Sequence, residues 1–120
     1  MKLKSSTGGE TIGDGGESQV FFVGHGLWSV YIAGNTGSGA SISLQWCRSA
    51  TGTFVTYVAD NAAGTPTNQT FSATQVAGST VGYQRCYLGG GMFFKFVDDG
   101  AGTGTAWQID VNGPYVSPAA

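Results

Sequence analysis

The sequence predicts an all-β fold, an antiparallel β-sandwich or jelly-roll-like barrel of about seven or eight short strands behind a flexible N-terminal arm. Three observations carry this. Short runs of branched and aromatic residues alternate with polar ones at period two, as in Trp28-Ser29-Val30-Tyr31-Ile32 and Ile42-Ser43-Leu44-Gln45-Trp46. Gly-, Asn-, Ser- and Asp-rich breaks separate these runs at regular spacing. No segment of useful length has apolar residues at helical spacing.

Taken in order, residues 1–18 are polar, Gly-rich and aperiodic, so they cannot bury enough apolar area to offset their ordering entropy. They read as a flexible arm, which becomes ordered if it lies across a neighbouring subunit, and residues 19–120 as a single domain. Val20 to Val23 is the first strand, closed by Gly24-His25-Gly26. Leu27 to Cys47 reads as a β-hairpin, with Trp28, Val30, Ile32, Ile42, Leu44 and Trp46 on one buried face. Phe54 to Val58 is the next strand and 59–69 a loop. Thr70 to Val76 is a weak edge strand, with Phe71 and Val76 as its anchors. Val81 to Leu88 follows, then a Gly89-Gly90-Gly91 break, which demands unusual backbone angles. Met92 to Val97 and Ala106 to Val111 are the last strong strands, and Tyr115-Val116 adds a short terminal contact. The expected core is Phe22, Trp28, Val30, Ile32, Ile42, Leu44, Trp46, Val58, Phe94, Phe96, Trp107, Ile109 and Val111.

Composition narrows the function. Charged residues make up 10% of the chain and the formal net charge is -2, against about 25% charged in an average soluble domain. Lys2, Lys4, Arg48, Arg85 and Lys95 are scattered, so there is no footprint for nucleic acid or an anionic membrane. The two lysines near the start precede no apolar run, so no secretory signal is expected, and no stretch reaches the ~18 apolar residues of a membrane helix. The two cysteines, Cys47 and Cys86, fall on opposite strand faces and are expected as free thiols.

Catalysis finds little support. His25 is the sole histidine, which rules out a two-histidine metal site and a histidine acid–base pair. No nucleophile-elbow spacing occurs around Gly37-Ser38-Gly39. Neither thiol lies in a helix start or basic cluster that would lower its pKa. Asp98-Asp99-Gly100 is what a tight turn wants, because Asp side chains bond nearby backbone N–H groups; two carboxyl groups are too few for calcium. The glycine-rich stretches open no helix and so are not phosphate cradles. The chain is read as a non-enzyme without cofactor, catalytic residue or metal site.

The anomaly is that three strands are apolar on both faces: Val20 to Val23, Phe54 to Val58 and Met92 to Val97. A sandwich strand normally turns one face to water and makes it polar. Left in water, Phe21, Val23, Val55, Tyr57, Tyr87 and Phe93 would form a patch that monomers avoid, so these residues are assigned to an interface. A homo-oligomer, a trimer around a threefold, is the expected assembly.

Gly26-Leu27-Trp28-Ser29-Val30-Tyr31-Ile32, a Gly-rich tip, then Ser43-Leu44-Gln45-Trp46-Cys47-Arg48-Ser49 with Thr53-Phe54-Val55 resembles small β-sandwich virion proteins of tailed bacteriophages. Their pattern is W-x-V-x-I, then L-Q-x-S-x-D-G-x-x-W, then Y-x-R and Gly-Gly, which Tyr83-Gln84-Arg85 and Gly89-Gly90-Gly91 match. The resemblance spans about residues 26–98. Ala50-Thr51-Gly52 replaces the Asp-Gly turn, Phe54 replaces the second Trp, and the arm has no counterpart. The resemblance implies a structural virion component: a capsid decoration (cement) protein that stabilises the shell through subunit contacts and touches the major capsid protein or another virion protein. The alternative is a tail-fibre-associated receptor- or glycan-binding module, with Tyr31, Tyr57 or Tyr87 as sugar-stacking platforms. Either is assembled in the host cytoplasm and located in the virion.

Overall fold

The computed structural model describes residues 1–6, 9, 11–23, 26–35, 40–60, 63–68, 70–72, 82–88, 92–101 and 106–112. Its strands are β1 (Phe21–Val23), β2 (Gly26–Asn35), β3 (Ser41–Cys47), β4 (Val55–Thr56), β5 (Val58–Asp60), β6 (Pro66–Asn68), β7 (Thr70–Ser72), β8 (Gly82–Leu88), β9 (Met92–Asp98) and β10 (Ala106–Asn112). Every pairing between them is antiparallel and no helix occurs among the described residues, so the chain is all-β. One sheet runs β1-β9-β3, with β4 and β7 both on the far side of β3. A second runs β10-β2-β8, and β5 pairs with β6 inside the stretch expected to be loop. β7, the expected edge strand, pairs with β3 through Ile42 opposite Phe71.

The alternation that marked the strands also fills the core. Val30 and Ile32 of β2, Ile42 and Leu44 of β3, Phe94 and Phe96 of β9, and Trp107, Ile109 and Val111 of β10 are all buried in one hydrophobic cluster. Trp46 is partly buried against it. The side chain of Trp28 lies outside the described residues, as do those of Tyr87 and Cys86, although their backbones lie on β2 and β8.

Four expectations need correction. First, Leu27 to Cys47 is not a hairpin. β2 pairs with β10 and β8, whereas β3 pairs with β9, β4 and β7, so the chain changes sheets between Asn35 and Ser41. The two apolar rows belong to different sheets and contribute to one buried cluster, instead of lying side by side in one sheet. Alternation reports which face is buried and is silent on which strand lies alongside.

Second, β1 presents the opposite face. Phe21 and Val23 are buried and Phe22 is exposed. Glu17 stands opposite Val97, and Ser18 donates its N–H to Phe96 O at 2.8 Å; farther along, Phe21 stands opposite Phe94. Between these points Lys95 alone faces both Gln19 and Val20. One extra residue is a β-bulge, and it reverses the parity of everything after it. Phe21 and Val23 therefore leave the assigned interface for the core, where the Phe21 ring stacks 6.1 Å from Phe94 and 6.3 Å from Phe96.

Third, the strand around Val55 is also turned over. Val55 stands opposite Trp46, Thr56 opposite Gln45, and Tyr57 donates its N–H to Leu44 O at 2.8 Å. Opposite residues share a face, so Tyr57 points toward the core with Leu44, and Val58 is exposed. A short, apolar strand has no polar face to declare its orientation.

Fourth, the described residues of the 1–18 segment do not form a free arm. Leu3 and Ile12 are completely buried, and Ser5 and Ser18 nearly so. Leu3 donates to Ile109 O and Val111 to Met1 O, each at 2.8 Å, placing residues 1–3 along the open edge of β10. On their other side Ser6 donates to Glu17 O at 2.7 Å and Gln19 to Lys4 O at 2.9 Å. Ile12 and Trp107 exchange both backbone bonds, at 3.0 and 2.9 Å. Residues 1–6 thus lie between β10 and residues 17–19 and join the edges of the two larger sheets. Composition underestimates such a segment, because its order comes from satisfied backbone groups and two well-placed side chains.

Candidate interaction surface

The outer face of the β1-β9-β3 sheet is apolar at one end and polar at the other. Phe22 is 57% exposed and meets Phe93 edge-on, with ring centroids 5.2 Å apart and planes at 65°. Cys47 stands opposite Phe93 on the next strand. Two residues along β9, Lys95 places Nζ 3.0 Å from Glu17 Oε2 and 4.7 Å from the centroid of the Phe54 ring. This ion pair is partly open to solvent and adds little stability, but it defines where the apolar end stops. Val20, at the bulge, is also exposed.

A second apolar feature opens beside the core. A groove of about 480 Å3 is lined by Trp46, Val55, Thr56, Tyr57, Val58 and Met92. Tyr57 packs edge-on against Phe94 at 5.5 Å, and Val55 and Val58 are about half exposed.

The assigned interface residues therefore separate. Phe93 and Val55 lie at the surface, Phe93 half-buried on the outer face and Val55 at the groove. Tyr57 lines the groove, Phe21 and Val23 are core, and the side chain of Tyr87 lies outside the described residues. Phe22, Trp46 and Val58, expected in the core, also lie at these surfaces, and Val20 and Met92 belong to the strands expected to meet sister subunits without having been singled out. For Phe22 the signal was an aromatic pair, Phe21-Phe22, in which one member must face outward whatever the parity.

Of the chemically capable groups, Asp98 is the best placed, and it is built into the fold. It is 3% exposed. Its Oδ1 accepts from the N–H groups of Gly15 and Gly100, both at 2.8 Å, and its Oδ2 accepts from Trp107 Nε1 at 2.7 Å. Asp99 Oδ1 accepts from Ala101 N–H at 3.0 Å, the local turn bond expected of this pair. Gly15 and Gly100 have φ of 65° and 74°, a region that L side chains rarely adopt, and their backbones face each other at this junction. Both carboxyl oxygens of Asp98 are committed to internal donors, so the group anchors the β9–β10 turn to the N-terminal segment.

Cys47 is a half-buried free thiol. A Cβ built on Gly52 would come within 2.5 Å of its Sγ, so the turn after β3 closes down on the sulfur. His25 lies outside the described residues, and among those described no three His, Cys, Asp or Glu side chains gather as a metal cluster. No protein-family model matches the chain, and neither a curated protein nor a solved structure shows significant similarity to it.

Proposed function

We propose that this chain is a structural subunit of a bacteriophage virion, a capsid decoration (cement) protein that stabilises the shell through contacts between subunits. In this reading the two larger sheets form a β-sandwich, since their inner faces share one core. The observation that carries the proposal is Phe22, 57% exposed and braced by Phe93 on a sheet face that needs cover. Low charge supports it, because a free monomer usually secures solubility with mixed surface charge. The resemblance in the Trp28–Ile32, Leu44–Ser49 and Tyr83–Arg85 segments points the same way.

The interface in this proposal is Phe22, Phe93 and Val20, with the Val55 groove beside the core as a second contact. Its partners are further copies of the chain, arranged around a threefold, and the major capsid protein. Burying a Phe side chain contributes ~1.5–3 kcal/mol, so Phe22→Ser should weaken self-association or capsid binding by roughly 10- to 100-fold. Sedimentation of the purified chain, alone and with undecorated capsids, tests this. A monomer that ignores capsids, or a Phe22→Ser variant that associates like the parent, refutes the proposal.

The alternative, a glycan-binding module of a tail fibre, is favoured by Tyr31, 39% exposed on β2. A glycan-array signal abolished by Tyr31→Ala would select it over the cement reading.

A further inference from the structure

We infer that residues 1–6 with Ile12 form an exchangeable closing segment, and that the slot between β10 and residues 17–19 takes the same segment from a second copy of this chain. The slot is made of backbone groups that need a strand. Ile109 O, Val111 N–H, Glu17 O and Gln19 N–H all find their partners in residues 1–6. Two hollows complete it, one filled by Leu3 and one by Ile12, each completely buried. No other described segment offers this combination, so a vacated slot is matched by residues 1–6 and Ile12 of another copy.

The connection to the rest of the chain is suited to a change of direction. Gly13, Gly15 and Gly16 lie within it, Gly16 N–H donates to Gly13 O at 3.0 Å, and Gly15 has φ of 65°. The far side of this turn is pinned, because Asp98 Oδ1 accepts from Gly15 N–H and Asp98 N–H donates to Gly16 O at 2.9 Å. The slot holds the chain before Gly13, and the body of the domain holds it from Gly15 onward. Exchange replaces each contact by an identical one, so local concentration decides its extent. A short flexible tether supplies an effective concentration in the millimolar range. Dilute copies therefore stay closed, and densely packed copies trade strands. This holds for any dense assembly and does not rest on the virion reading.

Lys2 stands opposite Asp110 in a pair that makes no backbone bonds of its own, the closer type of antiparallel pair. The full chain carrying Lys2→Cys and Asp110→Cys is prepared in 14N and 15N forms, kept reduced, mixed and oxidised at about 1 mM, and mapped by peptide mass. Mapping separates the 2–110 bond from any involving Cys47 or Cys86. The expected result is a light–heavy 2–110 cross-link that is absent when the same mixture is kept at micromolar concentration. Only like-labelled cross-links after concentration would overturn the inference. If the double variant does not fold, native mass spectrometry of light and heavy Phe22→Ser chains replaces it. Mixed dimers of these chains at about 1 mM, in which the outer-face contact is removed, support exchange, and their absence overturns it.

Discussion

Replacing Asp98 is the most informative perturbation of this fold. Its carboxyl group, 3% exposed, accepts from Gly15 N–H, Gly100 N–H and Trp107 Nε1. Asp98→Ala leaves all three donors without this acceptor. Trp107 is completely buried, so its stranded N–H costs ~1–3 kcal/mol. The two glycine amides lie at partly buried turns and recover part of their loss from water, which leaves ~0.5–1.5 kcal/mol each. The total is about 2–6 kcal/mol, a large share of the ~5–15 kcal/mol that holds a domain together. Asp98→Asn separates the contributions. One amide oxygen can still serve both glycines, but the NH2 group then meets the Trp107 N–H donor to donor. Equilibrium urea unfolding of wild type, Asp98→Asn, Trp107→Phe and the double variant gives the coupling directly. The expected value is ~1–3 kcal/mol, with the Asn substitution much less costly once the indole N–H is gone. Amide exchange at Gly15 and Gly100 should accelerate in Asp98→Ala. An Asp98→Ala protein within about 0.5 kcal/mol of wild type, or an Asn cost unchanged by Trp107→Phe, would refute the anchoring role.

Two further outcomes are expected from the same packing. Leu3→Ala and Ile12→Ala should each destabilise the domain by ~2–5 kcal/mol in chemical denaturation, as for any buried aliphatic side chain; a free arm would give no change. Gly52→Ala should cost ~1–3 kcal/mol from crowding against Cys47 Sγ, although the φ of Gly52 is ordinary. Cys47→Ala should recover most of that loss, and thermal melts of the two single variants and the double variant read the coupling. Additive losses would show that the sulfur is not the obstacle.

Much of the chain's organisation is legible in its residues. Trp107, Ile109 and Val111 alternate with Gln108 and Asp110, and no tertiary information is needed to place their shared face inside. The same holds for Ile42 and Leu44 against Ser41, Ser43 and Gln45. Where a strand has one polar and one apolar row, the hydrophobic effect chooses the face. Legibility ends where that contrast ends. Phe21-Phe22-Val23 and Val55-Thr56-Tyr57-Val58 carry apolar side chains in both rows, so either face satisfies the pattern. The bulge at Gln19-Val20 selects one for β1, and pairing with Trp46 and Leu44 selects the other case.

The candidate surface shares this fate, since it consists of whichever apolar row loses the competition for the core. Phe93 was visible as outward because Phe94 and Phe96 claim the inside. Phe22 was not, because one residue of register separates it from Phe21.

By itself, then, the sequence determined the strand content, most of the core and the turn chemistry at Asp98-Asp99-Gly100. These depend on local periodicity and on side-chain inventory. Only the tertiary structure decided that β2 and β3 belong to different sheets, that Phe22 and not Phe21 faces outward, and that residues 1–6 close the edge between the sheets. Each of these rests on backbone pairing between distant segments, and every residue except proline carries the same backbone groups, so composition leaves no mark of which will pair.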